Sequence, residues 1–179
     1  MAHEWRSRVR RPERLAAVNR STVVGIAPED AFDRLIELAV AVTGAPRGVI
    51  TYVDAERTTA ISSSGFPEGL PLYAPIENSF CRFVVATGRP FLVEDAHNDP
   101  RTTGDPAIEA FAAVSWIGYA IEDPDQNILG TFCLMDSQPR KWSGRDIQTV
   151  ATLAKATSTE IALRILQAKL TDLRQSHGG

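Results

Sequence analysis

Long hydrophobic runs, cysteine and histidine are what this 179-residue sequence is short of. No apolar stretch approaches the roughly 18–20 residues that span a bilayer, so no membrane segment is expected. The opening residues Met1-Ala2-His3-Glu4-Trp5-Arg6 lack the apolar core of a secretion signal. Cys81 and Cys133 are too few for a disulfide scaffold, which makes a reducing cytoplasm the expected compartment. His97 is the one histidine away from the chain ends, and without a Cys/His partner it reads as a solvent-facing loop residue rather than a metal ligand. There is no phosphate-cradling glycine loop, no Ser/His/Asp set and no paired-carboxylate signature. An enzyme is therefore not the expectation, and no metal is assigned.

What is present is an ordinary globular composition, with 44% apolar and 23% charged residues in a chain long enough for a real core. The net charge of −3 hides an imbalance. Residues 1–20 carry six Arg against Glu4 and Glu13, a local +4 that leaves −7 for the rest of the chain. An arginine-rich arm is one footprint of nucleic-acid binding. No recognition helix or aromatic-rich sheet motif accompanies it, so a solvated, partly disordered arm is expected over residues 1–25, with at most a short helix from Pro12 to Arg20.

The organising stretch runs from Ser115 to Leu173. Ser115–Ile121 and Ile128–Met135 are apolar runs joined by the turn formers Asp123–Asn127, which reads as an antiparallel hairpin covered on both faces. A long helix follows. Ser143 caps it, Asp146 completes a capping box, and Trp142 with Ile147 supplies the hydrophobic staple. Ile147, Val150, Ala151, Ala154, Ile161 and Ile165 form a sheet-facing stripe, while Leu163, Leu166, Leu170 and Leu173 follow a three-four-three spacing that suits a partner helix.

Upstream, Ala27-Pro28-Glu29-Asp30 starts a helix whose buried face is Phe32, Leu35, Ile36, Ala39 and Val42, stopped by Gly44 and Pro46. Gly48–Val53 and Thr58–Ser63 read as a strand pair, and Ser64 to Pro75 as a loop. A short helix from Phe80 to Thr87 is closed by Gly88; Pro90–Val93 is an edge strand; Asp105 caps a second short helix, Ala107–Ala112. This order predicts an α+β domain in which one mostly antiparallel sheet is sandwiched between helices.

The segment Gly130-Thr131-Phe132-Cys133-Leu134-Met135-Asp136, with Pro139-Arg140, Trp142-Ser143 and Asp146, resembles the closing part of a GAF domain. Asn78-Ser79-Phe80-Cys81-Arg82, Ala86-Thr87-Gly88-Arg89-Pro90, Val93-Glu94-Asp95-Ala96 and Asp99-Pro100-Arg101 extend the likeness over about Pro28 to Leu166. Each motif is short, and their order and spacing carry the resemblance. It implies a GAF-like, profilin/PAS-like antiparallel sheet of five to six strands. Long terminal helices would lie on one face and short helices over a pocket on the other. The divisions expected are an arm at 1–25, the domain at 26–166 and a helix extension and tail at 167–179.

The implied pocket makes Phe80, Cys81, Val84, Asp95, Trp116 and Tyr119 the candidate ligand-contacting residues. Cys81, at a helix start beside Arg82, is the reactive-looking thiol, against the plainer reading of a small buried hydrophobe; Cys133 reads as core. Asp95 and Asp99 offer acceptors, although Asp in such loops commonly bonds its own backbone. Trp116 and Tyr119 have opposite parity on one strand, so one of them is structural. Bilin-binding relatives hold the chromophore through Cys followed by His, and neither Cys81-Arg82 nor Cys133-Leu134 matches. GAF-type reductases of free methionine sulfoxide cluster several cysteines over the pocket, where this sequence supplies one. Many relatives have Pro where this chain has Ala120.

The expectation is a regulatory, sensory domain that binds an unidentified small molecule and passes the change to a dimeric C-terminal helix. Alternatives are a ligand-free dimerisation scaffold and a thiol-based redox sensor or enzyme using Cys81. A homodimer and a signalling output domain or partner protein are the expected partners, with neither membrane nor nucleic acid among them. The ligand or cofactor is left unassigned.

Overall fold

The apolar runs pair into one sheet. The computed structural model describes residues 4–23, 30–67 and 73–177. Its strands are β1 (Arg47–Val53), β2 (Arg57–Ser64), β3 (Tyr73–Pro75), β4 (Phe91–Val93), β5 (Ser115–Glu122) and β6 (Ile128–Asp136). They lie in the order β3-β2-β1-β6-β5-β4, every neighbouring pair antiparallel. The helices are α1 (Glu4–Val9), α2 (Pro12–Val23), α3 (Asp30–Thr43), α4 (Cys81–Thr87), α5 (Pro106–Phe111) and α6 (Gly144–His177).

Strand parity sorts the core into two layers. At the centre of the sheet Val49 lies opposite Cys133 and Ile50 opposite Phe132. Successive side chains alternate faces, so Ile50, Tyr52, Phe132 and Leu134 meet Phe32, Ile36 and Ala39 of α3 and Val150, Ala154 and Ile161 of α6. Val49, Val53, Cys133 and Met135 take the other face, against α4, α5 and Val9 of α1. The two long helices therefore share one face and α4 roofs the other, as the GAF-like reading expects.

The local signals at the second half of the chain are realised atom by atom. The Ser143 N–H donates to Asp146 Oδ2 at 2.9 Å, and the Asp146 N–H returns to Ser143 Oγ at 3.2 Å. In the β5–β6 turn the Asp123 carboxylate accepts from the N–H groups of Asp125 (2.9 Å) and Asn127 (2.8 Å). Asp105 caps α5 by accepting from the Ala107 N–H at 2.9 Å.

Two readings change. The span from Ser64 to Pro75, read as loop, contains β3 at its end, where Tyr73 to Pro75 pair with Thr59 to Arg57. Three residues closed by proline carry too little periodicity to be seen. The arm expected to be solvated forms α1 and α2, which pack on the domain through one side. Val9, Ala17 and Val18 are buried in the core layers. Arg14 is buried as well, donating from Nε to Val9 O (2.7 Å) and from Nη1 to Val53 O (2.7 Å) and Ile128 O (3.3 Å). One of the charges that suggested solvent, Arg14, ties these helices to the sheet end, while Arg8, Arg10, Arg11 and Arg20 are exposed. The expected helix start at Ala27-Pro28-Glu29 and the tail from Gly178 lie outside the described residues, as do residues 68–72 of the expected loop.

α6 outruns the core. Ile161 is its last fully buried residue, and beyond it Leu163, Leu166, Leu170 and Leu173 are 51%, 49%, 55% and 56% exposed. On α3, which packs beside α6, Leu38 and Val42 are also exposed.

Candidate functional site

The site grows from a pair of threonines. β1 and β6 set Thr51 opposite Thr131 on the face that α4 covers, and their hydroxyl oxygens are 3.0 Å apart. Cys81, the first residue of α4, stands over them. Thr131 Oγ1 donates to Cys81 Sγ at 3.1 Å, and Thr51 Oγ1 lies 3.6 Å from the same sulfur. Cys133, two residues beyond Thr131 on the same face, points its thiol toward Val49 O at 3.5 Å.

α4 is held in place at both ends. Gly88, at φ +68°, supplies the left-handed residue that closes it and sends its N–H to Val84 O. At its start the Cys81 N–H donates to Ser79 Oγ at 3.3 Å. Arg82 forms a buried ion pair with Asp105 and donates to Glu77 O (2.8 Å) and Ser79 O (2.7 Å), so the roof helices α4 and α5 are joined. The guanidinium also lies 4.5 Å from the Phe83 ring centre.

Phe80 and Trp116 belong to the cavity wall, and Phe83 and Phe91 pack against them. Phe80 meets Trp116 edge-on at 6.1 Å, and Phe83 stacks on Phe91 at 4.7 Å. The Trp116 indole lies over Gly118, where an added Cβ would come within 2.3 Å of the ring. Gly118→Ala is therefore expected to push the indole into the cavity and to cost about 1–3 kcal/mol in urea unfolding. An unchanged midpoint with unchanged tryptophan fluorescence would mean the ring has room elsewhere.

Between roof and sheet is a cavity of about 40 Å³, whose lining includes Thr51, Phe80, Cys81, Trp116 and Cys133. That is space for about one to three heavy atoms, far below the roughly 300–1,000 Å³ of pockets for drug-sized ligands.

Phe80, Cys81 and Trp116 are thus brought together, and three other expected residues are not. Val84 is fully buried among core side chains under α4 rather than in the cavity wall. Asp95 accepts from the His97 N–H (3.2 Å) and Asn98 Nδ2 (2.8 Å), so its carboxylate is occupied by its own turn. Tyr119 lies opposite Phe132 and packs on the α3–α6 face, as its odd spacing from Trp116 requires. His97 is exposed, and among the described residues no group of His, Cys, Asp and Glu could hold a metal ion. Thr51 and Thr131 were missed, and Cys133, read as core, is both core and cavity wall. The signal available was that residues 131 and 133 share strand parity; their partner at 51 depends on pairing across the sheet.

The two thiols differ in acidity. Cys81 is lowered from 9.0 to about 6, first by the neighbouring Cys133 thiol and then, against the opposing effect of burial, by the hydroxyls of Ser79, Thr131 and Thr51. Burial pushes Cys133 well above its ordinary value. Cys81 is accordingly expected to be alkylated by a small haloacetamide much faster than Cys133, with a rate that climbs as pH rises through about 6. Equal inertness of the two thiols from pH 5 to 9 would contradict it.

The GAF domain family model matches residues 27–161. Comparison with curated proteins finds no match. Among solved structures, the GAF domain of an Acinetobacter phosphoenolpyruvate-protein phosphotransferase superposes with a TM-score of 0.62 at 15% identity, over 90% of this chain and 98% of that one. The phycocyanobilin-bound GAF domain of a cyanobacterial phytochrome gives 0.63 at 15% identity, over 87% and 95%. The type II free methionine-R-sulfoxide reductase of Thermoplasma acidophilum gives 0.60 at 8% identity, over 79% and 94%. At these identities the likeness is one of fold.

Proposed function

We propose that this chain, which belongs to the GAF domain family, is a regulatory sensory module that binds a small molecule between sheet and roof and passes the change to a dimeric α6. The observation that carries this reading is the two-sided placement of the sheet. The cavity lies against β1, β5 and β6 on one face, and α6 packs on β5 and β6 from the other. A side-chain shift in the cavity is one strand's thickness from the helix that leaves the domain. The reading is regulatory rather than catalytic, since no base stands beside a nucleophile with a third group to orient it among the described cavity residues.

The dimer rests on the exposed leucines. Burying each of Leu163, Leu166, Leu170 and Leu173 is worth roughly 1.5–3 kcal/mol before ordering costs, so two α6 extensions pairing in parallel gain enough to associate. A contiguous apolar line of this kind is what monomers usually hide. The Leu166→Lys/Leu170→Lys double variant is expected to be a folded monomer in light scattering, where the parent is a dimer. A double variant that stays dimeric would move the seam, with Leu38 and Val42 of α3 the next to change.

The size of the cavity favours a second reading, a dimerisation scaffold whose pocket holds no regulatory ligand. Native mass spectrometry of the protein purified from its own cells separates the two. Retained small-molecule mass lost on Trp116→Ala supports the sensor, and bare protein under all growth conditions supports the scaffold.

A further inference from the structure

The same cavity contains the parts of an oxidisable dithiol. Cys81 and Cys133 are free thiols, both are buried, and both line the one small cavity. They come from elements distant in sequence, the first residue of α4 and the middle of β6. The threonine pair beneath them is likewise assembled by the sheet. Each hydroxyl has one proton to give. With Thr131 donating to Cys81 Sγ at 3.1 Å, Thr51 is placed at 3.0 Å to donate to the Thr131 oxygen, a two-hydroxyl relay ending on sulfur. Thr131 is fully buried and Thr51 nearly so. Two polar side chains on an apolar sheet face are costly to bury unless they bond something, and what they bond here is each other and the sulfur. A hydroxyl donor stabilises a thiolate more than a thiol. The cavity volume favours a small oxidant: about 40 Å³ accommodates a molecule of two heavy atoms without displacing the lining side chains.

We propose that Cys81 and Cys133 are a dithiol oxidised by hydrogen peroxide, Cys81 being the attacking and Cys133 the resolving sulfur. This gives a substrate to the sensory reading of the cavity and rests on it. The Cys81 thiolate attacks one peroxide oxygen and the O–O bond breaks. The departing hydroxide takes the proton that Cys81 released, leaving a sulfenic acid and one water. The sulfur of Cys133 then attacks Cys81 Sγ, the S–O bond breaks, and the Cys133 proton leaves with the hydroxide as a second water. Two thiols lose two electrons and one peroxide is reduced to two waters. The new bond fastens the start of α4 to β6, and through the Arg82–Asp105 pair it also fixes α5.

The test is peroxide treatment of the full chain followed by intact-mass and peptide analysis. The parent is expected to lose two hydrogen masses and to yield a Cys81–Cys133 cross-linked peptide that thiol reductant removes. Cys133→Ala should stop at a Cys81 sulfenic acid captured by a 1,3-dione probe, and Cys81→Ser should leave Cys133 reduced. Thr131→Val keeps both thiols and should slow oxidation about tenfold, and circular dichroism checks that it stays folded. Two free thiols after treatment, cross-links only between molecules, or Cys133 oxidised at the parental rate in Cys81→Ser would each overturn the proposal. Failure of the dithiol leaves the α6 dimer in light scattering untouched. A dithiol that forms without changing hydrogen exchange in α6 supports the chemistry and sinks its link to signalling.

Discussion

Asp105→Ala is expected to lower the unfolding free energy by about 3–5 kcal/mol, the cost of leaving a buried charge without its partner. Asp105 and Arg82 are both nearly buried, and the pair is the only side-chain ion bridge described between α4 and α5. Asp105 is also the N-cap of α5, so the variant loses that bond too. The Arg82 guanidinium would retain Glu77 O and Ser79 O, which are neutral acceptors and cannot balance it. The urea midpoint reads the loss directly. The double variant Arg82→Met/Asp105→Leu removes both charges, and much of the stability should return, because exchanging a buried pair for apolar side chains is often neutral or better. A single-variant loss below about 1 kcal/mol would mean that water already reaches the pair. A double variant worse than Asp105→Ala would mean that Arg82 matters chiefly for the carbonyls it holds and the Phe83 ring it covers.

Arg14→Met is the second large effect, at about 2–5 kcal/mol. Arg14 sends its two shortest bonds to Val9 O and Val53 O, with longer ones to Ile128 O and Asp54 O. Burial lowers its pKa to about 10, partly offset by Asp54, so it is still charged at neutral pH, and each of its three nitrogens donates to a carbonyl. Methionine fills similar space and donates nothing. Each buried carbonyl left without a partner costs about 1–3 kcal/mol, and two lie within the short bonds. The loss should be read by urea unfolding together with faster hydrogen exchange across α1 and α2. Normal stability with α1 and α2 still protected would show that those helices are held by Val9, Ala17 and Val18 alone.

What was legible in the sequence was what is decided within a few residues. The Ser143–Asp146 box, the Asp105 cap, the Gly88 stop and the β5–β6 hairpin are set by neighbours in the chain and appear where they were read. Ordered along the chain, those pieces were enough for the fold. The site was less readable because its chemistry is made by the sheet. Thr51 reaches Thr131 and Cys81 only once β1 pairs with β6 and α4 is seated over them. Tyr119 shows the limit from the other side: parity required that Trp116 and Tyr119 part, and only the packing told which one faced the cavity. Arg14 misled for a physical reason. Arginine is usually solvated, yet its planar fork can satisfy several carbonyls at once, and composition does not distinguish the two uses.

α6 has a mechanical consequence. From Ile165, the last α6 residue packed on the core, to His177 it runs about 18 Å at the usual rise per residue. No glycine or proline lies between Arg145 and His177 to serve as a pivot. Beyond the sheet the helix can act as a lever arm: a tilt of about 5° at Ile165 carries the tip through about 1.6 Å. On the proposed dimer, a displacement too small to break any strand pairing would become, at the far end, a shift of the size by which packed helices move past one another.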